Sequence, residues 1–235
     1  HYDDPPYPSW YTQPVGHSTI LVDDNHQSQR VGDPRKFAPG FEDHAYISHF
    51  LDGQQAAFST GDIGKLYWGK LEDLQRNVLY LKPRTLLMLD TAVPGKKSRK
   101  VTLLYQTDHL KDITAADDVS TITKQGVSLN IMHLSPQQAT VEAVETPHYL
   151  NTLREEHPLQ KEGMLTVSAH TSHNPLVMAN LLTTTDAGTP PDVQTAAGDG
   201  YVRGTASGKK FAYTTRPNDV YTVEGMQTDA LALTW

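Results

Sequence analysis

The chain has no cysteine, so a disulfide framework and a thiolate metal site are both excluded, and the redox compartment is left open. No apolar run approaches the roughly 20 residues needed to cross a bilayer as a helix. No GxGxxG or GxxxxGK[ST] loop supports nucleotide binding, no GxSxG elbow is present, and no HExxH spacing supports a metal-dependent hydrolase. Basic residues are outnumbered: 20 Lys and Arg against 27 Asp and Glu give a formal charge of −7. The longest basic cluster, "KKSRK" at 96–100, is short and reads as a solvated turn, so nucleic acid is not an expected partner. The opening "HYDDPPYPSWYTQPVG" lacks the basic start and apolar middle of a signal peptide. It also begins on His1 rather than Met, and the expectation is a piece of a longer chain.

What is present describes a soluble globular protein, 37% hydrophobic and 20% charged over 235 residues. Strand signals dominate. "TILVDD" is a short apolar run bounded by turn residues, and "NVLYLKPRTLLMLD" reads as two strands joined at Lys82-Pro83-Arg84, where a residue without an N–H fits a connection. "KVTLLYQT" alternates, with Val101, Leu103 and Tyr105 on one face, and "GVSLNIMHL" repeats the pattern through Val127, Leu129 and Ile131. "KKFAYTTRPNDVYTVEG" predicts a hairpin turning at Arg216–Asp219. Helical spacing is confined to "HYLNTLREEH" at 148–157, with Leu150 and Leu153 at i, i+3. "TDAGTPPDVQTAAGDG" (185–200) predicts a surface loop, since too few residues follow it for an independent core. The pattern predicts an all-β chain, one large antiparallel β-sandwich domain over 1–235 with few short helices.

Eleven histidines invite a search for metal and acid–base sites. His170 and His173 stand at i, i+3, which suits a turn or helix but not a flat strand. His44 and His49, five apart, fall on opposite faces of a strand. His109 follows a strand beside Asp108, and either could join His17 in a His/Asp metal shell. In "FSTGDIGKLYWGKLEDLQRNVLYLKP" (58–83), Gly61 and Gly64 bracket Asp62, and Tyr67, Trp68 and Arg76 follow. An arginine that neutralises a carboxylate acidifies the adjacent C–H, and a tyrosine or histidine can then move the proton. The same residues also serve as ordinary core and edge groups.

Taken in order, "GHSTILVDDNHQSQ", "YISHF", "FSTGDIGKLY" and "LQRNVLYLKPRTLLMLD" resemble the heparinase II/III-like C-terminal domain of polysaccharide lyases. The matching positions are Gly16, His17, Ser18, Thr19, Asp23, Gln27, Gly61, Asp62, Tyr67, Arg76, Lys82, Pro83 and Asp90. Ser18 stands where Asn is usual and Asp24 where Gly is common. Leu74-Gln75 occupy the place where some members carry a histidine. The resemblance is concentrated in 14–91 and general thereafter.

The resemblance implies a supersandwich-like β-domain that follows an N-terminal α/α-toroid absent from this chain, with an acidic, uronate-containing glycan bound between the two. It implies β-elimination in a bacterial periplasmic or secreted enzyme, with no membrane partner. His17 and Tyr67 become the candidate catalytic groups and Arg76 a candidate substrate-binding group. A structural zinc occurs in some members, and His17, Asp62 and His109 are the candidate ligands here. The alternative is a non-catalytic carbohydrate-binding or scaffolding β-sandwich, with Trp10, Tyr11 and Trp68 as stacking candidates.

Overall fold

The computed structural model describes residues 14–24, 45–67, 70–150, 160–172 and 174–235. Its centre is an eight-stranded antiparallel sheet. In spatial order the strands are β2 (Tyr46–Asp52), β3 (Ala56–Asp62), β4 (Leu71–Leu81), β5 (Thr85–Pro94), β12 (Leu176–Asp186), β9 (Val127–Ser135), β8 (Val119–Lys124) and β7 (Ile113–Thr114). The Lys82-Pro83-Arg84 connection is where the sequence places it. Leu81 and Thr85 pair across it, and Pro83 sits outside the ladder, where its missing N–H costs no hydrogen bond.

A four-stranded sheet covers one face, in the order β1 (Ile20–Val22), β6 (Lys100–Thr107), β11 (Gln160–His170) and β10 (Thr140–Leu150). Val101, Leu103, Tyr105, Leu165 and Val167 from this sheet pack with Leu74, Ala92, Ile131 and Met178 of the central one. A second four-stranded sheet covers the other face: β13 (Val193–Ala197), β14 (Tyr201–Ala206), β15 (Lys209–Thr214) and β18 (Ala232–Thr234). Its Phe211 and Tyr213 meet Leu79, Leu81, Leu87, Leu89 and Leu181. Successive residues of β5 therefore serve different layers, Met88 the first and Leu87 and Leu89 the second. That explains the unbroken apolar run "TLLML": a strand covered on both faces has no polar side to alternate with.

The expected all-β, antiparallel, sandwich-like architecture is what the chain adopts, and among the described residues the helices are short 3-10 turns. Three local expectations need correction. Residues 148–150 belong to β10, where Tyr149 pairs with Lys161 and Leu150 with Gln160. A single i, i+3 leucine pair is too weak to hold a helix against such a ladder; residues 151–159 lie outside the described set. The 185–200 segment is shorter as a loop than expected, because β12 runs to Asp186 and Val193–Ala197 pairs with β14. The Arg216–Asp219 turn forms, with Asp219 N donating to Arg216 O at 3.1 Å, but it does not close a hairpin. β15 pairs with β14 and β18, whereas β16 (Tyr221–Val223) pairs with β17 (Met226–Thr228).

Candidate functional site

His17 lies in the segment that leads into β1, and its side chain is exposed. The segment is fastened to the end of β6. The Gln106 side-chain amide donates to Val15 O at 2.8 Å, the Gln106 backbone N–H donates to Ser18 Oγ at 3.0 Å, and Leu104 N donates to Thr19 O at 2.9 Å. An exposed imidazole on a pinned backbone is suited to meet a ligand with little ordering cost. At the far end of β1, Asp23 pairs with Arg99 at 2.8 Å and Asp24 with Lys100 at 3.0 Å. Half of the "KKSRK" cluster is thus neutralised within the chain.

Tyr67 closes the 3-10 turn Gly64–Tyr67. Its hydroxyl donates to the carbonyl of Ile20, and the residue is only 1% exposed. It is therefore joined to β1, the strand that follows His17, and carries that strand on the core. Lys70 Nζ donates to Val22 O at 3.1 Å and supports the strand from the same side. Asp62 shapes the turn. One carboxylate oxygen accepts from Gly64 N at 3.2 Å and the other from the Tyr46 hydroxyl at 2.7 Å. Gly64 has no room for a side chain: a Cβ there would stand 2.7 Å from Asp73 Oδ1 and 2.9 Å from Leu74 N. Burial pushes the Asp73 carboxyl above its ordinary range, and the charge of Asp62 adds to the effect.

Arg76 and Asp90 face each other on β4 and β5. Arg76 Nε donates to Asp90 Oδ1 at 2.7 Å and its Nη2 to Oδ2 at 3.2 Å. Asp90 is 1% exposed and the Arg76 side chain 24%. Burial raises the Asp90 pKa, opposed by the charge and hydrogen bonds of Arg76. For Arg76, burial acts downward but is outweighed by Asp90, so its pKa is raised. Among the described residues the buried Tyr105 hydroxyl has no hydrogen-bond partner, and burial pushes its pKa well up.

The remaining candidates are scattered. His109 is half-buried at the head of the 3-10 turn Leu110–Asp112, and its neighbour Asp108 pairs with Lys124. Gly163 permits the close approach of that turn, since a Cβ would meet Leu110 N at 2.5 Å and His109 C at 2.6 Å. His170 is exposed on β11 opposite Lys100, and His49 is exposed on β2. Among the described residues no three His, Asp or Glu side chains gather as a metal site; His17, Asp62 and His109 do not form such a group. Gln27, His44, His173, Trp10, Tyr11 and Trp68 lie outside the described residues.

One group escapes a reading of the sequence. His133 Nδ1 lies 2.8 Å from Asn180 Oδ1, and its Nε2 lies 2.9 Å from Ser120 Oγ. This hydroxyl–imidazole–amide series resembles a nucleophile relay, but Ser120 is 0% exposed, so no substrate reaches it. Burial lowers the His133 pKa and favours the neutral ring. Its three members come from separate strands, and no local spacing in the sequence announces them.

No family model and no curated protein sequence matches the chain. Solved structures do. A heparan sulfate lyase, HepC from Pedobacter heparinus, superposes with a TM-score of 0.65 at 16% identity over 86% of this chain and 30% of that one. A heparinase III, the BT4657 gene product, gives 0.63 at 9% identity over 97% of this chain and 31% of that one. Another heparinase III structure gives 0.63 at 8% over 99% and 31%. The chain spans about a third of the length of these structures, and at such identities the likeness is one of fold: the layered antiparallel architecture described above is shared with part of each lyase.

Proposed function

We propose that the chain is the β-sandwich part of a heparinase II/III-like polysaccharide lyase, acting on a uronate-containing glycan outside the bacterial cytoplasm. The observation that carries this reading is the shared fold over 86–99% of the chain. The exposed, pinned position of His17 agrees with it.

In β-elimination a base removes the proton on uronate C5. The electron pair forms the C4–C5 double bond, the C4–O bond breaks, and the departing oxygen receives a proton. His17 is the group of this chain suited to touch the substrate and move a proton. Tyr67 and Arg76 take other parts in this reading. Tyr67 is committed to Ile20 O and holds the strand that presents His17; Arg76 is committed to Asp90 and braces β4 on β5. Both are positioning residues. The preceding α/α-toroid would supply the other wall of the cleft and the second proton-transfer group.

The test is ultraviolet detection of unsaturated uronate product. In the longer protein that this reading implies, His17→Ala should lower turnover by about 10²–10⁴-fold, the usual contribution of a general acid or base. Unchanged turnover on the true substrate would remove His17 from the chemistry. Turnover by the 235-residue chain alone would refute the need for a second wall.

A further inference from the structure

The outer sheet β13-β14-β15-β18 turns one face to the central sheet and the other away from it. Part of the outward face is covered by the β16–β17 hairpin, where Tyr221 and Val223 pack on Ala212. Beside the hairpin lies a cavity of about 200 Å³ whose lining includes Gln194, Arg203, Thr205, Lys210, Glu224 and Trp235. Glu224 occupies the two-residue turn between β16 and β17 at φ +49, followed by Gly225 at φ +83. Asn or Gly fits such a position with less strain than Glu. The turn brings the carboxylate to Lys210 Nζ at 2.8 Å and Trp235 Nε1 at 3.2 Å, with Arg203 Nη1 4.0 Å from its other oxygen. Lys210 Nζ also lies 5.8 Å from the centroid of the Trp235 ring. The hydrogen bond from Lys210, then that from Trp235, holds the Glu224 carboxyl below its ordinary range.

These groups come from β13, β14, β15, the β16–β17 turn and the residue after β18, and form a set suited to one sugar ring. The indole, 39% exposed, offers an apolar plate for the C–H face of a pyranose. The ionised Glu224 accepts from ring hydroxyls, while Lys210, Arg203 and the Gln194 amide donate. Two cations against one carboxylate leave one positive charge, matched by a ring that carries a single acidic group. The cavity is small beside the usual 300–1,000 Å³ of drug-sized sites and has the scale of one residue of a chain.

We propose that this cavity is a second glycan-binding site, holding one acidic pyranose unit of a polymer. The acidic-glycan class rests on the function proposed above. The site is separated from the His17 segment by the central sheet; at about 10 Å per sheet spacing the two lie at least roughly 20 Å apart. One polymer chain could therefore be retained at one site while another stretch of it is used elsewhere.

The test is calorimetric titration of the 235-residue chain with a glucuronate-containing tetrasaccharide and with a neutral glucose tetrasaccharide. Wild type should bind the acidic sugar more tightly and lose affinity as salt rises. Trp235→Ala and Arg203→Met should each weaken it by about tenfold, a change of about 1.4 kcal/mol, while Trp235→Phe retains most of it. Arg203 is a surface side chain, so its variant keeps the test valid if Trp235→Ala unfolds. No binding by wild type, unchanged affinity in Arg203→Met, or equal affinity for the neutral sugar would overturn the proposal. Failure of the lyase reading is scored separately, as absence of unsaturated product from the longer protein, and leaves this binding comparison intact.

Discussion

Replacing Arg76 by leucine leaves the Asp90 carboxylate buried without its two donors. Each charge-assisted bond is worth about 1.5–3 kcal/mol, and both the 2.7 Å and the 3.2 Å contact disappear. Partial solvent access to the Arg76 side chain moderates the sum, and the expected loss at pH 7 is about 3–4 kcal/mol, within the range for breaking a buried pair. With a urea slope of about 3 kcal/mol per M, the midpoint should fall by about 1 M. Far-ultraviolet circular dichroism in urea reads it. The pH dependence has a definite sign. Burial already raises Asp90, and losing Arg76 removes the opposing charge. The folded state of the variant then holds a proton that the unfolded state releases near the ordinary carboxyl value of 3.8. Its stability relative to wild type is best below that value and falls as pH rises through the folded one. Arg76→Leu with Asp90→Leu should lose less than the sum of the single variants. A loss under about 1 kcal/mol for Arg76→Leu, or additivity in the double variant, would refute the reasoning.

Gly163→Ala drives a methyl group into the backbone of His109 and Leu110 and should cost about 2–3 kcal/mol, read as a lower urea midpoint; wild-type stability would show that the turn yields freely. Because burial lowers the His133 pKa, the unfolded state binds more protons than the folded one below about pH 6.5. Stability from this group is full above that value and lost as pH falls through the lowered folded value, so His133→Asn should flatten the pH dependence of the midpoint between about 7.5 and 5.5. Parallel profiles for wild type and variant would count against it.

The sequence makes the strands legible where turn chemistry and periodicity agree. Pro83 marks the β4–β5 connection because its ring removes a ladder donor, and Val101, Leu103 and Tyr105 mark one face of β6 because that face meets the central sheet. Layering is harder to read. An apolar run such as "TLLML" reports burial on both faces but not which layer each face meets. The Arg216–Asp219 turn is recognisable, yet local signals do not say whether its flanking strands pair with each other. Phe211 and Tyr213 enter the core under the central sheet, while Tyr221 and Val223 enter the small outer cluster, and these distant partners part the strands. For the site, His17 is found by its place before a strand. The commitment of Tyr67 to Ile20 and of Arg76 to Asp90 depends on neighbours 47 and 14 residues away.

Strands apolar on both sides carry little information about alignment. Slipping β5 by two residues along β4 would return leucine and methionine to the same layers, and the hydrophobic pattern would scarcely register the error. The polar residues supply the missing reading frame. Arg76 faces Asp90, and Thr85 faces Thr183 with their hydroxyls 3.0 Å apart. A two-residue slip separates both pairs and strands a charge in the interior. These few residues act as punctuation in an otherwise repetitive text, fixing where each line of the sheet begins.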